Sequence, residues 1–142
     1  MSGIQYQSPI NRIFEEAFNQ GNLDVVDELL SLNHIAHNTF GGGPLGPQGL
    51  KYLIAMFRNA FPDLHCTFED EIRQGDKLAA HWTMRGTHKG LFLGNPPTGR
   101  KVEAQGIIFA RTYNGRIVEN WTLFDQMGIL QQLGIVPPSL DY

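Results

Sequence analysis

The chain has 142 residues, 42% of them hydrophobic, and carries 11 Lys and Arg against 14 Asp and Glu, for a formal net charge of −3. This length fits a single globular domain spanning 1–142, and the charge argues against a basic surface for nucleic acid or an anionic membrane. A single cysteine excludes an internal disulfide and a cysteine metal site, and no apolar run is long enough to span a membrane or direct export, so we expect a cytoplasmic protein.

Three helices are predicted in the first part of the chain. Ser8 is suited to cap the first helix, Pro9 to occupy its first position, and Gly21 to end it. A second, shorter helix is predicted to follow Asn22, and a third spans about 47–61. Apolar residues recur at helical spacing along the first of these: Ile10, Ile13, Phe14, Ala17 and Phe18.

Residues 31–40 are mixed in polarity and predict a short extended segment. Alternation along it groups Asn33 and His37 on one side and His34 and Ala36 on the other. We assign no role to His34. A glycine-rich run, predicted to be flexible, follows at 41–47.

From residue 64 onward the apolar pattern changes to a period of two, which is typical of strands. Gly75-Asp76 and Asn114-Gly115 predict two hairpin turns. The order of elements indicates an α+β fold with helices against one face of a curved antiparallel sheet, and a short helix after Gly128. The predicted strands are 64–74, 77–88, 101–113 and 117–125.

A curled sheet of long strands leaves a concavity at its open end, and such concavities are the usual ligand sites. Aromatic side chains are candidates for its walls, although each is equally consistent with an ordinary core position. These candidates are Trp82, Trp121, Phe57 and Phe61.

Asp125 ends the last predicted strand, where alternation places it on one face with Trp121 and Leu123. A carboxylate among apolar side chains is costly unless it is hydrogen-bonded or protonated, which makes Asp125 a candidate acid or base. The alternative is that Asp125 is exposed and caps the helix that follows.

The sequence lacks the residues that several other kinds of functional site require. The glycine-rich run lacks the Gly-Lys-Ser/Thr of a phosphate loop, no metal-binding cluster is visible, and no serine lies in a G-x-S-x-G motif. What remains is acid–base chemistry without a cofactor or a metal. His37 and His88 could assist Asp125 by holding a developing enolate oxygen, or could be core or rim histidines.

A set of short motifs, in this order and spacing, resembles the SnoaL-like polyketide cyclases. This family, also called ester cyclases, belongs to the superfamily of nuclear transport factor 2 and ketosteroid isomerase, and the resemblance covers about 10–136. The motifs are A-F-P-D (60–63), G-D-K (75–77), R-G-T-H-K-G (85–90), P-P-T-G (96–99), N-G-R-I-V-E-N-W (114–121) and G-I-L-Q-Q-L-G (128–134).

The resemblance implies a cone-shaped, curved antiparallel sheet that encloses a hydrophobic cavity, packs against three N-terminal helices and associates as a dimer or larger homo-oligomer. It also implies a cofactor-free intramolecular aldol condensation that closes the last ring of an aromatic polyketide ester, a lyase or isomerase reaction. The acid–base aspartate of the family matches Asp125, and two of its histidines match His37 and His88. Gln105 and Ile107 fall where polar cavity residues are expected, but Ile107 is apolar.

We therefore expect a cyclase or isomerase that acts on a small hydrophobic, polyketide-like ligand. The alternatives are a non-catalytic binding protein of the same fold, an epoxide-hydrolase or dehydratase relative, or an interaction module that uses the exposed sheet face. The candidate ligand-binding residues are Trp121, Trp82, Phe57, Asn33, Gln105 and Phe61.

Overall fold

The computed structural model describes residues 7–37 and 46–137, so the glycine-rich run is outside it from 41 to 45. The helices are α1 (Pro9–Arg12), continued by a π-helical stretch (Ile13–Phe18), α2 (Asp24–Leu29), α3 (Pro47–Ala60) and α4 (Gln126–Gln132). The strands are β1 (Leu30–His37), β2 (His65–Gln74), β3 (Lys77–Thr87), β4 (Lys101–Tyr113) and β5 (Arg116–Phe124).

The five strands form one sheet in the order β1-β5-β4-β3-β2. Strands β2 to β5 are the antiparallel meander that the sequence predicts. Both predicted hairpin turns are present, and Asn114 and Gly115 have φ angles of 51° and 75°, as a type I′ turn requires. The extended segment before α3 is a true strand, and β1 pairs with β5 in parallel, which the sequence analysis did not predict.

The first helical segment begins and ends as predicted. Ser8 Oγ accepts a hydrogen bond from the Asn11 amide at 3.1 Å, and Gly21 has a φ of 77° at the end of the first helical segment. The π-helical stretch was not predicted, because apolar spacing does not distinguish a π turn from an α turn. The apolar side chains of this segment are buried: Ile10, Ile13, Phe14 and Ala17.

The helices cover one face of the sheet, which we call the inner face. Phe14 lies 5.1 Å from Trp82 of β3, and Phe57 of α3 lies 5.9 Å from Phe124 of β5, both measured between ring centroids. Alternate residues of β3 and β4 point inward, as their period predicts: Leu78, Ala80, Trp82, Met84, Val102, Ala104 and Ala110. The opposite, outer face carries exposed side chains, among them Ile107, Phe109 and Leu123.

Gly106 of β4 leaves the space that the Trp82 indole fills. The two residues lie directly opposite each other in the β3–β4 register. A Cβ atom built on Gly106 would lie 2.2 Å from Trp82 Cζ2, a distance that no real contact tolerates. Glycine is therefore required here by the close approach of the ring.

The predicted face of β5 is wrong. We expected Trp121, Leu123 and Asp125 to point toward the cavity, whereas Asn120, Thr122 and Phe124 do so. The register of β5 against β4 shifts between Arg111 and Thr112. Because of this bulge, both Ile117 and Asn120 face inward, although they are three residues apart. Strict alternation counted from Ile117 therefore assigns the later residues of β5 to the wrong face.

Gly106→Ala should destabilise the fold by about 1–3 kcal/mol, because the added methyl group displaces the Trp82 ring. Urea denaturation would measure the loss, and the near-ultraviolet circular dichroism of the indole should change. Gln105→Ala, one residue away on the outer face, is the matched control and should stay within about 0.5 kcal/mol of wild type. Equal stability of the two variants would contradict this account.

Candidate functional site

A cavity of about 140 Å³ lies between the helices and the inner face of the sheet. Cavities of this kind, apolar with a few polar groups, are typical ligand sites. Most of its walls are aliphatic or aromatic: Ile10, Ile13, Phe14, Leu50, Leu53, Phe57, Trp82, Met84 and Ile108.

One wall of the cavity is polar. His34 Nε2 lies 2.6 Å from Asn120 Oδ1, and Asn120 Nδ2 donates to Thr122 Oγ1 at 3.2 Å. The parallel pairing of β1 and β5 brings these residues together, since Ala36 is in register with Asn120. His34 is 4% exposed and Asn120 is 9% exposed, so the hydrogen bond between the imidazole and the amide is buried.

Burial lowers the pKa of His34, because a charged imidazolium would lose its hydration. The hydrogen bond to Asn120 opposes this effect in part, and the nearby His37 adds to it. The ring is therefore neutral at neutral pH, with a proton on one nitrogen only.

Asp125 is exposed, and its Oδ1 accepts a hydrogen bond from the Gly128 amide at 2.9 Å. It is the N-cap of α4, as the alternative prediction proposed. The expectation that its carboxylate is kept from water among apolar side chains is wrong. Its neighbours Phe124 and Gln126 line the cavity but Asp125 itself does not, and its catalytic role stays a prediction.

His37 lies on the outer face of the sheet and does not line the cavity. Its Nε2 is 3.1 Å from Glu119 Oε2, and its ring stacks on Trp121 with centroids 4.8 Å apart. Glu119 also accepts from Arg111 Nε at 3.0 Å, and its pKa is lowered first by the hydrogen bond to His37 and then by the one to Arg111. Trp121 therefore belongs to this outer cluster and is not a cavity wall.

His88 is fully buried, but it also lies away from the cavity. Its Nδ1 accepts from the Thr98 amide at 3.2 Å, and its backbone amide donates to Arg100 O at 2.9 Å. Its ring packs beside Phe61 and Phe92, with centroids 5.7 Å and 6.3 Å away. These contacts hold the segment between β3 and β4 against the core.

Among the six predicted ligand-binding residues, Trp82 and Phe57 line the cavity. Phe61 is buried in the core beside it, and Asn33 is exposed. Gln105 is exposed on the outer face, where its Oε1 lies 2.7 Å from His81 Nε2. Trp121, the sixth, is also on the outer face, so the structure does not bring the six residues together in one site.

The polar wall of the cavity was not predicted from the sequence. His34 was given no role, and Asn120, Thr122 and Gln126 were not among the candidate residues. The only local signal was the alternation that groups His34 with Ala36, opposite His37. The decisive contact joins residues 86 positions apart in a pairing that no local pattern predicts.

Within 7–37 and 46–137, no three His, Cys, Asp or Glu side chains lie close enough together to hold a metal ion. No helix in these ranges is long and apolar enough to cross a membrane.

The fold and the cavity define a member of a known class. The profile described as SnoaL-like polyketide cyclase matches residues 9–133, so the chain belongs to the SnoaL-like polyketide cyclase family. The α+β architecture that the sequence resemblance implies is therefore confirmed.

Named relatives agree with this assignment. Nogalonic acid methyl ester cyclase of Streptomyces nogalater is 30% identical over 83% of this chain and 90% of its own. Aklanonic acid methyl ester cyclase DnrD of Streptomyces peucetius is 28% identical over 90% of each chain. The crystal structure of IdmH from Streptomyces antibioticus superposes with a TM-score of 0.77 at 34% identity, over 89% of this chain and 96% of that one.

Titration of His34 should make the stability of the fold depend on pH. The folded-state pKa lies below the ordinary value of 6.5, so the unfolded chain binds more protons in the interval between the two values. Stability should therefore fall as the pH is lowered from about 7.5 to about 5.5. Urea denaturation at several pH values measures the slope.

The His34→Leu variant lacks this group and should show a shallower slope over the same interval, whatever its absolute stability. Because the other histidines are common to both proteins, the difference between the slopes reports His34. Identical slopes would contradict the depressed pKa.

Proposed function

We propose that this chain is an ester-cyclase-type enzyme that closes a ring in a small hydrophobic, polyketide-like substrate without a cofactor. The observation that carries the proposal is the cavity, whose walls are apolar except for the polar wall, where His34, Asn120 and Thr122 are joined by hydrogen bonds. An apolar enclosure with a few fixed polar groups suits a flat substrate that must be held in one orientation.

The proposed reaction is an intramolecular aldol condensation. A carboxylate takes a proton from a carbon next to a carbonyl group, the resulting enolate carbon attacks a second carbonyl of the same molecule, and the new alkoxide recovers the proton. The family resemblance assigns the carboxylate to Asp125. Its position between Phe124 and Gln126, which line the cavity, supports a role at the cavity mouth.

The names of the curated relatives support the substrate class. Two of them are cyclases of methyl esters, of nogalonic acid and of aklanonic acid. We infer that this chain accepts a methyl ester of an aromatic polyketide, the substrate that the family resemblance implies, and that the aromatic walls formed by Phe14, Phe57 and Trp82 contact its rings.

A second candidate is a binding protein of the same fold without catalysis. The exposure of Asp125 and its use as the cap of α4 favour it, because both are explained without any chemistry. An epoxide-hydrolase or dehydratase activity has no comparable observation in its favour.

The homodimer implied by the resemblance also stays a proposal. Exposed apolar side chains on the outer face support it: Ile107, Phe109 and Leu123.

Incubation with aklanonic acid methyl ester or nogalonic acid methyl ester tests the reaction. We expect conversion to a product of unchanged mass and shifted retention time, which liquid chromatography with mass spectrometry would detect. In deuterium oxide, exchange at the acidic carbon should precede or accompany ring closure. Binding of both esters without conversion or exchange would favour the non-catalytic alternative.

Asp125→Asn separates the chemistry from the helix cap. Asparagine caps helices about as well as aspartate, so α4 should persist, but the amide cannot carry the proton. Turnover should fall by about 10²-fold or more with little change in ester affinity.

Asp125→Ala is the matched comparison, since it removes the cap as well and should cost about 1 kcal/mol of stability. Thermal denaturation of both variants verifies the distinction. Turnover of Asp125→Asn at the wild-type rate would exclude Asp125 as the proton carrier.

A further inference from the structure

Buried polar atoms without a hydrogen-bond partner are rare in folded proteins, because each one loses its hydrogen bonds with water and gains none in return. In the part of the chain that the structure describes, four side-chain atoms are in this state: His34 Nδ1, Glu71 Oε1, Trp82 Nε1 and His88 Nε2. Two of these residues, His34 and Trp82, line the same cavity. An unpaired polar atom on a residue of the cavity wall is a group with which a bound ligand could form a hydrogen bond.

The contacts of Asn120 decide what His34 offers to a ligand. Because Asn120 Nδ2 donates to Thr122 Oγ1, the amide oxygen is the atom that faces His34. An amide oxygen only accepts, so His34 Nε2 carries the hydrogen of this 2.6 Å bond. A neutral imidazole has one N–H, and Nδ1 therefore presents a bare lone pair.

The state of the ring keeps that lone pair available. His34 is 4% exposed, and burial lowers its pKa, so the ring stays neutral at neutral pH. Its orientation is fixed by a chain of two hydrogen bonds anchored on β5. A fixed acceptor in an apolar wall selects for a donor and rejects an apolar or acceptor group at the same place.

We propose that His34 Nδ1 accepts a hydrogen bond from a hydroxyl group of the ligand, so that the cavity selects aromatic molecules with a phenolic or enolic hydroxyl. This inference rests on the proposed function, since it names a group that the substrate of the same cavity must carry. His34 is then a specificity-determining residue, and Asn120 and Thr122 are the residues that position it.

The probes are 2-naphthol and 2-methoxynaphthalene, which share the bicyclic ring and differ in the hydroxyl donor. Calorimetric titration of the whole chain near neutral pH should show that 2-naphthol binds roughly tenfold more tightly, the scale of one well-formed hydrogen bond to a group otherwise left unpaired. In His34→Leu the ratio of the two dissociation constants should fall to about one, with the affinity for 2-methoxynaphthalene little changed.

A ratio that is the same in both proteins would overturn the proposal. Equal affinity of the wild-type protein for the two probes would also overturn it, and would mean that a trapped water already occupies the acceptor.

A second measurement needs no variant. In protein labelled with ¹⁵N-histidine, the His34 Nδ1 resonance should have the frequency of an unprotonated nitrogen and should shift with 2-naphthol but not with 2-methoxynaphthalene. A resonance that is unmoved while both probes bind would refute the contact, even if His34→Leu failed to fold.

These outcomes are separable from those of the ester assay. If the wild-type protein does not prefer 2-naphthol but converts the esters, the role of His34 is refuted and the proposed ring closure is not. If the wild-type protein prefers 2-naphthol but converts neither ester, the enzymatic proposal is refuted and the hydroxyl site is not.

Discussion

The hydrogen bond between His34 and Asn120 is the contact on which the polar wall of the cavity depends. It joins the first strand of the sheet to the last one in sequence, at the edge where the two run in parallel. Without it, the buried imidazole would have no hydrogen-bond partner and the amide oxygen of Asn120 would lose its own, which costs far more free energy than breaking a hydrogen bond at the surface. The same bond decides which nitrogen of the His34 ring has no hydrogen, so the pairing of β1 with β5 also determines what the ring can accept from a ligand.

Local signals predicted the elements well. Ser8 with Pro9 starts the first helix, and Asn114 with Gly115 closes the last hairpin, because each residue type satisfies a backbone requirement within a few positions. Alternation in β3 is also consistent with the prediction of Trp82 as a cavity wall, whereas Gln105 and Ile107 of β4, expected at the cavity, are exposed on the outer face. The helix start and the hairpin turn depend on near neighbours alone, so a single sequence is sufficient to predict them.

Most of the candidate site was not predictable in this way. Both faces of β5 carry aromatic rings, Trp121 on one and Phe124 on the other, so hydrophobicity could not choose between them, and the bulge opposite Arg111 reversed the parity. We expected His37 beside the cavity, but it belongs to a cluster with Glu119 on the far side of the sheet. The parallel pairing that brings His34 to Asn120 depends on where a distant strand docks, and no local pattern carries that information.

Positions 82 and 106 face each other on adjacent strands and together hold one large ring. Because the space is shared, a homologue could carry the ring on the fourth strand if its third-strand residue were small. The hollow would keep its size, but the indole nitrogen would enter from the other strand and offer its proton elsewhere. A reciprocal exchange of two residues would thus redirect a polar contact at constant volume, a route by which one scaffold acquires new ligands while its backbone stays unchanged.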